Sequence, residues 1–227
     1  MRRVALQVLK SGLMNKPKVV IVDYGVGNLL SVQRAVEQCG GETVISAAPD
    51  VVANADRVIL PGVGAYANGM RALESLGLVQ VLKEVAAKGT PLLGICLGMQ
   101  LLLDEGEEHG FTKGLGIISG RVVPIPNVCS DGVSLKLPHI GWGELVPHSG
   151  VSWENSLLRN IKSGDSAYFV HSYTAMPNDP STRPADCIYG GNRISAVIAK
   201  ENVVGCQFHP EKSGKKGLHM LRNFLIS

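Results

Sequence analysis

The sequence predicts an α/β fold: a mostly parallel central sheet with helices on both faces, and a smaller β-rich region in the second half. Three observations carry this prediction. Apolar runs of strand length alternate with amphipathic helical segments through the first half, and strands linked through helices pair in parallel. One of those runs ends in Gly94-Ile95-Cys96-Leu97-Gly98, a sharp strand-to-helix turn that belongs at the carboxyl edge of such a sheet. From Gly114 onward the texture shifts to short β-like runs punctuated by Gly and Pro.

Residues 18–23 open with Lys18 and then Val19-Val20-Ile21-Val22, an apolar run that reads as a buried strand. Residues 29–39 carry apolar side chains at helical spacing and stop at Gly40-Gly41. Residues 42–46 and 57–60 give the second and third strands. Residues 70–76 and 78–87 return to helical spacing, with Gly89 as the cap. Residues 91–95 form the strand that feeds the turn at Cys96. In the second half, 121–124, 167–172, 193–199 and 203–208 read as β, and 217–226 as a closing helix. Residues 178–184, rich in proline and polar side chains, read as an exposed loop. No repeat, low-complexity segment or linker divides the chain, so one domain is expected over 17–227, preceded by an extension over 1–16.

At 227 residues the chain can bury one core of ordinary size. Its 45% hydrophobic and 18% charged content indicates a soluble globular protein. A net charge of +3 is too small to argue for nucleic acid, and no Lys/Arg cluster with interleaved aromatics appears. The five cysteines (Cys39, Cys96, Cys129, Cys187 and Cys206) are odd in number, scattered and without a CxxC pair, which points to reduced thiols in the cytoplasm. Cys206 and His209 have no second ligand pair beside them, so no metal is expected. No apolar stretch approaches the ~18 residues that span a membrane. The apolar part of residues 1–16 is short and interrupted by Gln7, which argues against a signal peptide.

Cys96 is the candidate nucleophile. The turn holds its sulfur at the sheet edge near the amino end of the next helix, where partial positive charge favours thiolate. Far downstream, Cys206-Gln207-Phe208-His209-Pro210-Glu211 offers an imidazole with a carboxylate two residues on. A cysteine nucleophile needs such a base, and the base needs a third group to fix its tautomer. In an extended segment side chains two apart share a side, so Glu211 can sit beside His209.

These residues resemble the triad of the class I glutamine amidotransferases, with Cys96, His209 and Glu211 in its three places. Within that family the chain is most similar to the glutaminase subunits of imidazole glycerol phosphate synthase. Five stretches carry the resemblance: Asp23 to Leu29, Leu60 to Ala65, Gly94 to Leu102, His139-Ile140-Gly141-Trp142, and Gln207 to Ser213. The resemblance implies a flavodoxin-like α/β architecture and needs no cofactor. It implies hydrolysis of glutamine to glutamate through a γ-glutamyl thioester. It also implies transfer of the ammonia to a separate (β/α)8-barrel synthase subunit, which forms imidazole glycerol phosphate and an aminoimidazole carboxamide ribotide in histidine biosynthesis. Chains of this kind begin at the first strand, so either Met14 is the natural start or residues 1–13 are a loose extension.

The tetrahedral oxyanion of amide attack requires preorganised N–H donors. Leu97 supplies one because it follows the nucleophile. The resemblance assigns the other to Val63 in Pro61-Gly62-Val63-Gly64, after a peptide flip if the hole is incomplete at rest. It further implies that Gln100, one helical turn after Cys96, faces the glutamine, and that Glu108 pairs with its α-amino group. His171, Ser172 and Tyr173 would hold the amino-acid end through backbone groups. Asn28, His139 and Trp142 would face the synthase subunit, Trp142 as an anchor with a large apolar body and a polar handle.

Tyr24-Gly25-Val26-Gly27-Asn28 is not a dinucleotide fingerprint, because Leu30 stands where the third glycine belongs and no acidic residue ends the next strand. Two residues depart from the family pattern: Gly143 follows the tryptophan in place of the usual Asn, and Thr174 replaces a frequent second Tyr. Gly143 and the proline-rich loop over 178–184 leave open a paralogous subunit that feeds ammonia to sugar modification in surface polysaccharides. A non-catalytic protein of the same architecture is the remaining reading, and an intact His209-Pro210-Glu211 argues against it.

Overall fold

A computed structural model describes residues 17–148, 150–154 and 156–227. The expected extension over 1–16 lies outside the described residues. Strand β1 (Lys18–Val22) sorts its side chains by alternation. Val19 and Ile21 enter one core with helices α1 (Leu29–Gln38) and α6 (Gly214–Ile226), while Val20 and Val22 enter a second core on the opposite face. That second core is covered by α2 (Pro49–Ala53), α3 (Tyr66–Ser75), α4 (Leu78–Ala87) and α5 (Leu97–Leu101). A strand buried on both faces is why the run reads as continuously apolar.

Between these layers lies a sheet of nine strands. Its parallel half is β2 (Glu42–Ser46), β1, β3 (Arg57–Gly62), β4 (Leu92–Cys96) and β13 (Val203–Cys206), in that spatial order. The sheet then continues antiparallel through β12 (Asn192–Lys200), β11 (Ala185–Tyr189), β8 (His139–Pro147) and β9 (Ser166–His171). A smaller four-stranded sheet joins β10 (Tyr173–Pro177), β7 (Gly120–Pro124), β5 (Glu105–Gly106) and β6 (Thr112–Lys113). Much of the β-rich second half therefore extends the central sheet itself.

The arrangement decides where the motifs meet. Gly62 at the end of β3 stands in register with Cys96 at the end of β4, and Ile95 of β4 with Cys206 of β13. Three adjacent parallel strands thus deliver the Pro61–Gly64 loop, the cysteine turn and the histidine segment to one edge. Carboxyl edges of parallel strands are where α/β sheets place their sites.

Several elements differ from the sequence reading. Helix α2 is one extra turn started by Pro49. Helix α3 begins at Tyr66 and α6 at Gly214, each earlier than expected. Strands β8, β10 and β11 carry weak strand signals: β8 contains Gly141 and Gly143 and ends at Pro147. Pairing with β9 and β11 on its two sides overrides that local weakness. Among the described residues no helix is long and apolar enough to cross a membrane.

Candidate active site

The turn after β4 is built around two close approaches. A Cβ at Gly94 would lie 2.7 Å from the Gly98 carbonyl oxygen and the Met99 nitrogen, and one at Gly98 would overlap the Leu60 carbonyl. Cys96 itself takes φ 54° and ψ −110°, a conformation L side chains rarely adopt. Such strain persists where the surroundings over-determine it, and it aims the side chain out of the turn. Helix α5 is only a single turn and a half of chain, so the field it places on the sulfur is smaller than a full-length helix would supply. The sulfur's neighbours are instead discrete groups: Gln207 Nε2 at 3.7 Å, the Val170 carbonyl oxygen at 3.8 Å and the His209 imidazole.

His209 is 4% exposed and is fixed from its backbone. Its N–H donates to the Tyr168 carbonyl at 2.9 Å, and its carbonyl accepts from Ser213 Oγ at 2.6 Å. The next residues form a short 3₁₀ turn (Pro210–Lys212) where an extended segment was expected, yet the pair still closes: His209 Nδ1 lies 2.8 Å from Glu211 Oε1. Only 1% of the Glu211 side chain is exposed. Burial pulls His209 toward the neutral form, but hydrogen bonds and charge from Cys96 and Glu211 prevail and push it up to about 9. At neutral pH the imidazole therefore carries a proton between sulfur and carboxylate.

Cys96 and His209 line one cavity of about 440 Å³, of small-molecule size. Of the residues predicted from sequence, Val63, Leu97, Gln100, Glu108, His171, Ser172 and Tyr173 line it too. Val63 is 43% exposed at the mouth, beside Gly64 at φ 96°. Glu108 lies at the start of α3, where its Oε2 accepts the Tyr66 N–H at 2.6 Å. Glu211 stands behind His209, outside the cavity wall. Among the described residues no group of three or more His, Cys, Asp or Glu side chains is placed to hold a metal ion.

The three residues expected at an interface separate. Asn28 is exposed, and Trp142 is 60% exposed beside Ile140 at 59%, its ring edge-on to Tyr168. His139 is instead buried at 3%. Strand alternation turns it inward while Ile140 and Trp142 turn out, so its side chain is not a surface group. It stacks between Phe169 and Tyr189 and approaches His171, with Nδ1 3.2 Å from His171 Nε2. Gly143 also acquires a local reason: a Cβ there would meet Cys187 Sγ at 2.5 Å and the Phe169 ring at 3.2 Å.

The sequence reading missed Gln207, which is fully buried and bonded to both Gln100 and the sulfur. The signal was present, since Gln207 and His209 are two apart at the end of a strand and so share a side. It also missed Tyr24, buried close to Gly62 and electrostatically coupled to Cys96.

The glutamine amidotransferase class-I family model matches residues 20–227. The chain is 50% identical over 208 residues to imidazole glycerol phosphate synthase subunit HisH 1 of Legionella pneumophila (strain Lens), covering 91% of this chain and 98% of that one. It is 48% identical over 204 residues to the subunit HisH of Geobacillus sp. (strain WCH70), covering 90% and 94%. Among solved structures, PurLQS from Thermotoga maritima superposes with a TM-score of 0.67 at 18% identity, covering 93% of this chain and 98% of that chain, a likeness of fold.

Proposed function

The chain belongs to the class I glutamine amidotransferase family, and on that premise we propose that it is the glutaminase subunit of imidazole glycerol phosphate synthase, acting in histidine biosynthesis. The observation that supports the chemistry most directly is the paired His209–Glu211 with Cys96 on the same cavity. Cys96 attacks the side-chain carboxamide carbon of glutamine. The oxyanion that forms is held by the N–H groups of Leu97 and Val63. His209, already protonated, gives its proton to the departing nitrogen, and ammonia leaves a γ-glutamyl thioester on the sulfur. A water then attacks the thioester with His209 as base, releasing glutamate and restoring Cys96. Glu211 orients the ring by accepting from Nδ1.

Gln100 and Glu108 hold the glutamine, Glu108 through its α-ammonium group, and His171, Ser172 and Tyr173 bound the amino-acid end. Ammonia in bulk water at neutral pH is protonated and loses its nucleophilicity, so the product must pass directly to a partner synthase subunit. That subunit is a (β/α)8 barrel, and the two chains form a heterodimer in the cytoplasm. The exposed Ile140 and Trp142 on β8 provide an apolar surface beside the strand that bounds the cavity. Gly143 is set by packing against Cys187 and Phe169, so its departure from the family pattern does not favour the polysaccharide paralogue.

The test is glutamate release from glutamine by this chain, alone and with the barrel synthase of the same genome plus a nucleotide ligand. Strong stimulation by the complex is expected. A rate indifferent to that partner would overturn the assignment.

A further inference from the structure

A continuous file of buried polar groups runs to the sulfur of Cys96. Its polarity is set at one atom, the Tyr173 carbonyl oxygen, which can only accept. His171 Nδ1 lies 2.8 Å from it and Gln100 Nε2 lies 3.2 Å from it, so both donate. Two donors occupy the carbonyl's two lone pairs. On the imidazole arm, His171 then presents a bare Nε2, which accepts from His139 Nδ1. On the amide arm, the Gln100 –NH₂ is oriented by the carbonyl and gives its second hydrogen to Gln207 Oε1 at 3.0 Å. Gln207 is therefore left with its –NH₂ toward Cys96, where Nε2 stands 3.7 Å from Sγ. Flipping the Gln207 amide would set two –NH₂ groups against each other, with that of the fully buried Gln207 left without an acceptor.

We propose that Gln207 is a further catalytic residue, whose Nε2–H donates to the Cys96 sulfur and stabilises the thiolate, with its orientation imposed through Gln100 by the Tyr173 carbonyl. The inference rests on the reading of Cys96 as nucleophile. The need for such a donor is visible in the same geometry. As a thiol, Cys96 points its proton at the Val170 carbonyl oxygen at 3.8 Å. As a thiolate it has no proton to give and faces the negative end of that dipole. Gln207 offsets the repulsion from the buried side, where its amide is removed from solvent and one N–H is worth more than in water. His209 gives up and regains its proton in each turnover, so its charge beside the sulfur changes through the cycle. A fixed amide, by contrast, restabilises the sulfur whenever the thioester breaks.

The experiment is the pH dependence of Cys96 alkylation by iodoacetamide on the full chain, with the label located by mass spectrometry. Gln207→Met fills similar volume without an N–H, and Gln207→Glu turns a carboxylate oxygen toward the sulfur. The titratable groups around the sulfur, Tyr24, Cys206 and His209 with His171 and Glu211 behind, are unchanged in Gln207→Met, while Gln207→Glu adds one carboxylate to them. In Gln207→Met the midpoint of the alkylation curve is expected to rise by about one pH unit, and the rate at neutral pH to fall about tenfold. Gln207→Glu is expected to shift further in the same direction. An unmoved midpoint in Gln207→Met overturns the inference. Should neither variant fold, the parent chain labelled with ¹⁵N-glutamine decides: one side-chain amide pair must titrate with the alkylation midpoint, and its absence overturns the inference equally. Failure of the nucleophile reading looks different, since it would appear as glutamine turnover surviving in Cys96→Ala whatever Gln207 does to the sulfur.

Discussion

At the residue scale the site depends on the pairing of a few buried groups. Glu211 Oε1 engages His209, while its Oε2 is buried and, among the described residues, has no hydrogen-bond partner. The carboxylate's charge is thus spent on one imidazole. Replacing it with the isosteric amide in Glu211→Gln removes that charge and frees the ring to take the wrong tautomer. We expect kcat for glutamine hydrolysis to fall roughly 10²–10⁴-fold with KM little changed. Steady-state kinetics check this, and a loss of only a few-fold would contradict the assigned role. The triad residues were legible in the sequence because chemistry restricts them to rare types at fixed spacings. For Gln207 only its spacing from His209 was legible, because its orientation comes from Gln100 and, through it, the Tyr173 carbonyl, residues far away in the chain that only the fold brings near.

At the scale of elements, the inward face of β8 and β9 is held by an imidazole pair. His139 and His171 both sit at about 4, below the ordinary 6.5, chiefly because burial disfavours their charged forms. The unfolded chain binds more protons than the folded one between those values. Stability is therefore fully present above about 6.5 and is lost as pH falls through about 4. His209 works in the opposite sense: its raised value adds stability below 6.5 that is lost as pH rises through about 9. We predict that the urea midpoint drops on acidification from pH 6.5 to 4, and that His139→Phe, which keeps a ring between Phe169 and Tyr189, makes this drop shallower. An identical slope in the variant would contradict the account. These strands also mark where sequence reading was weakest. β1, β3 and β4 announce themselves by apolar runs, because both of their faces are covered by helices. β8 does not, since one face packs on His171 and Phe169 while the other leaves Ile140 and Trp142 in solvent, and its glycines blur the alternation.

At the scale of the whole molecule, topology performs the assembly. Segments ending at Gly62, Cys96 and Cys206 are separated along the chain but occupy neighbouring parallel strands, which brings the Pro61–Gly64 loop, Cys96 and the His209 segment to one edge. The parallel half was readable from its alternation of strands and helices. The antiparallel continuation was not, because nothing local in β8 to β12 says which edge of which sheet they will join. The continuation matters to the site: it carries His171 to the cavity wall and presents Trp142 on the outside. The most direct test of the central claim is glutamate release by Cys96→Ala in complex with the synthase subunit, measured beside product formation from ammonium salts. The account predicts no glutamate from glutamine while ammonium-dependent synthesis continues. Glutamate release at the parental rate in that variant would contradict it.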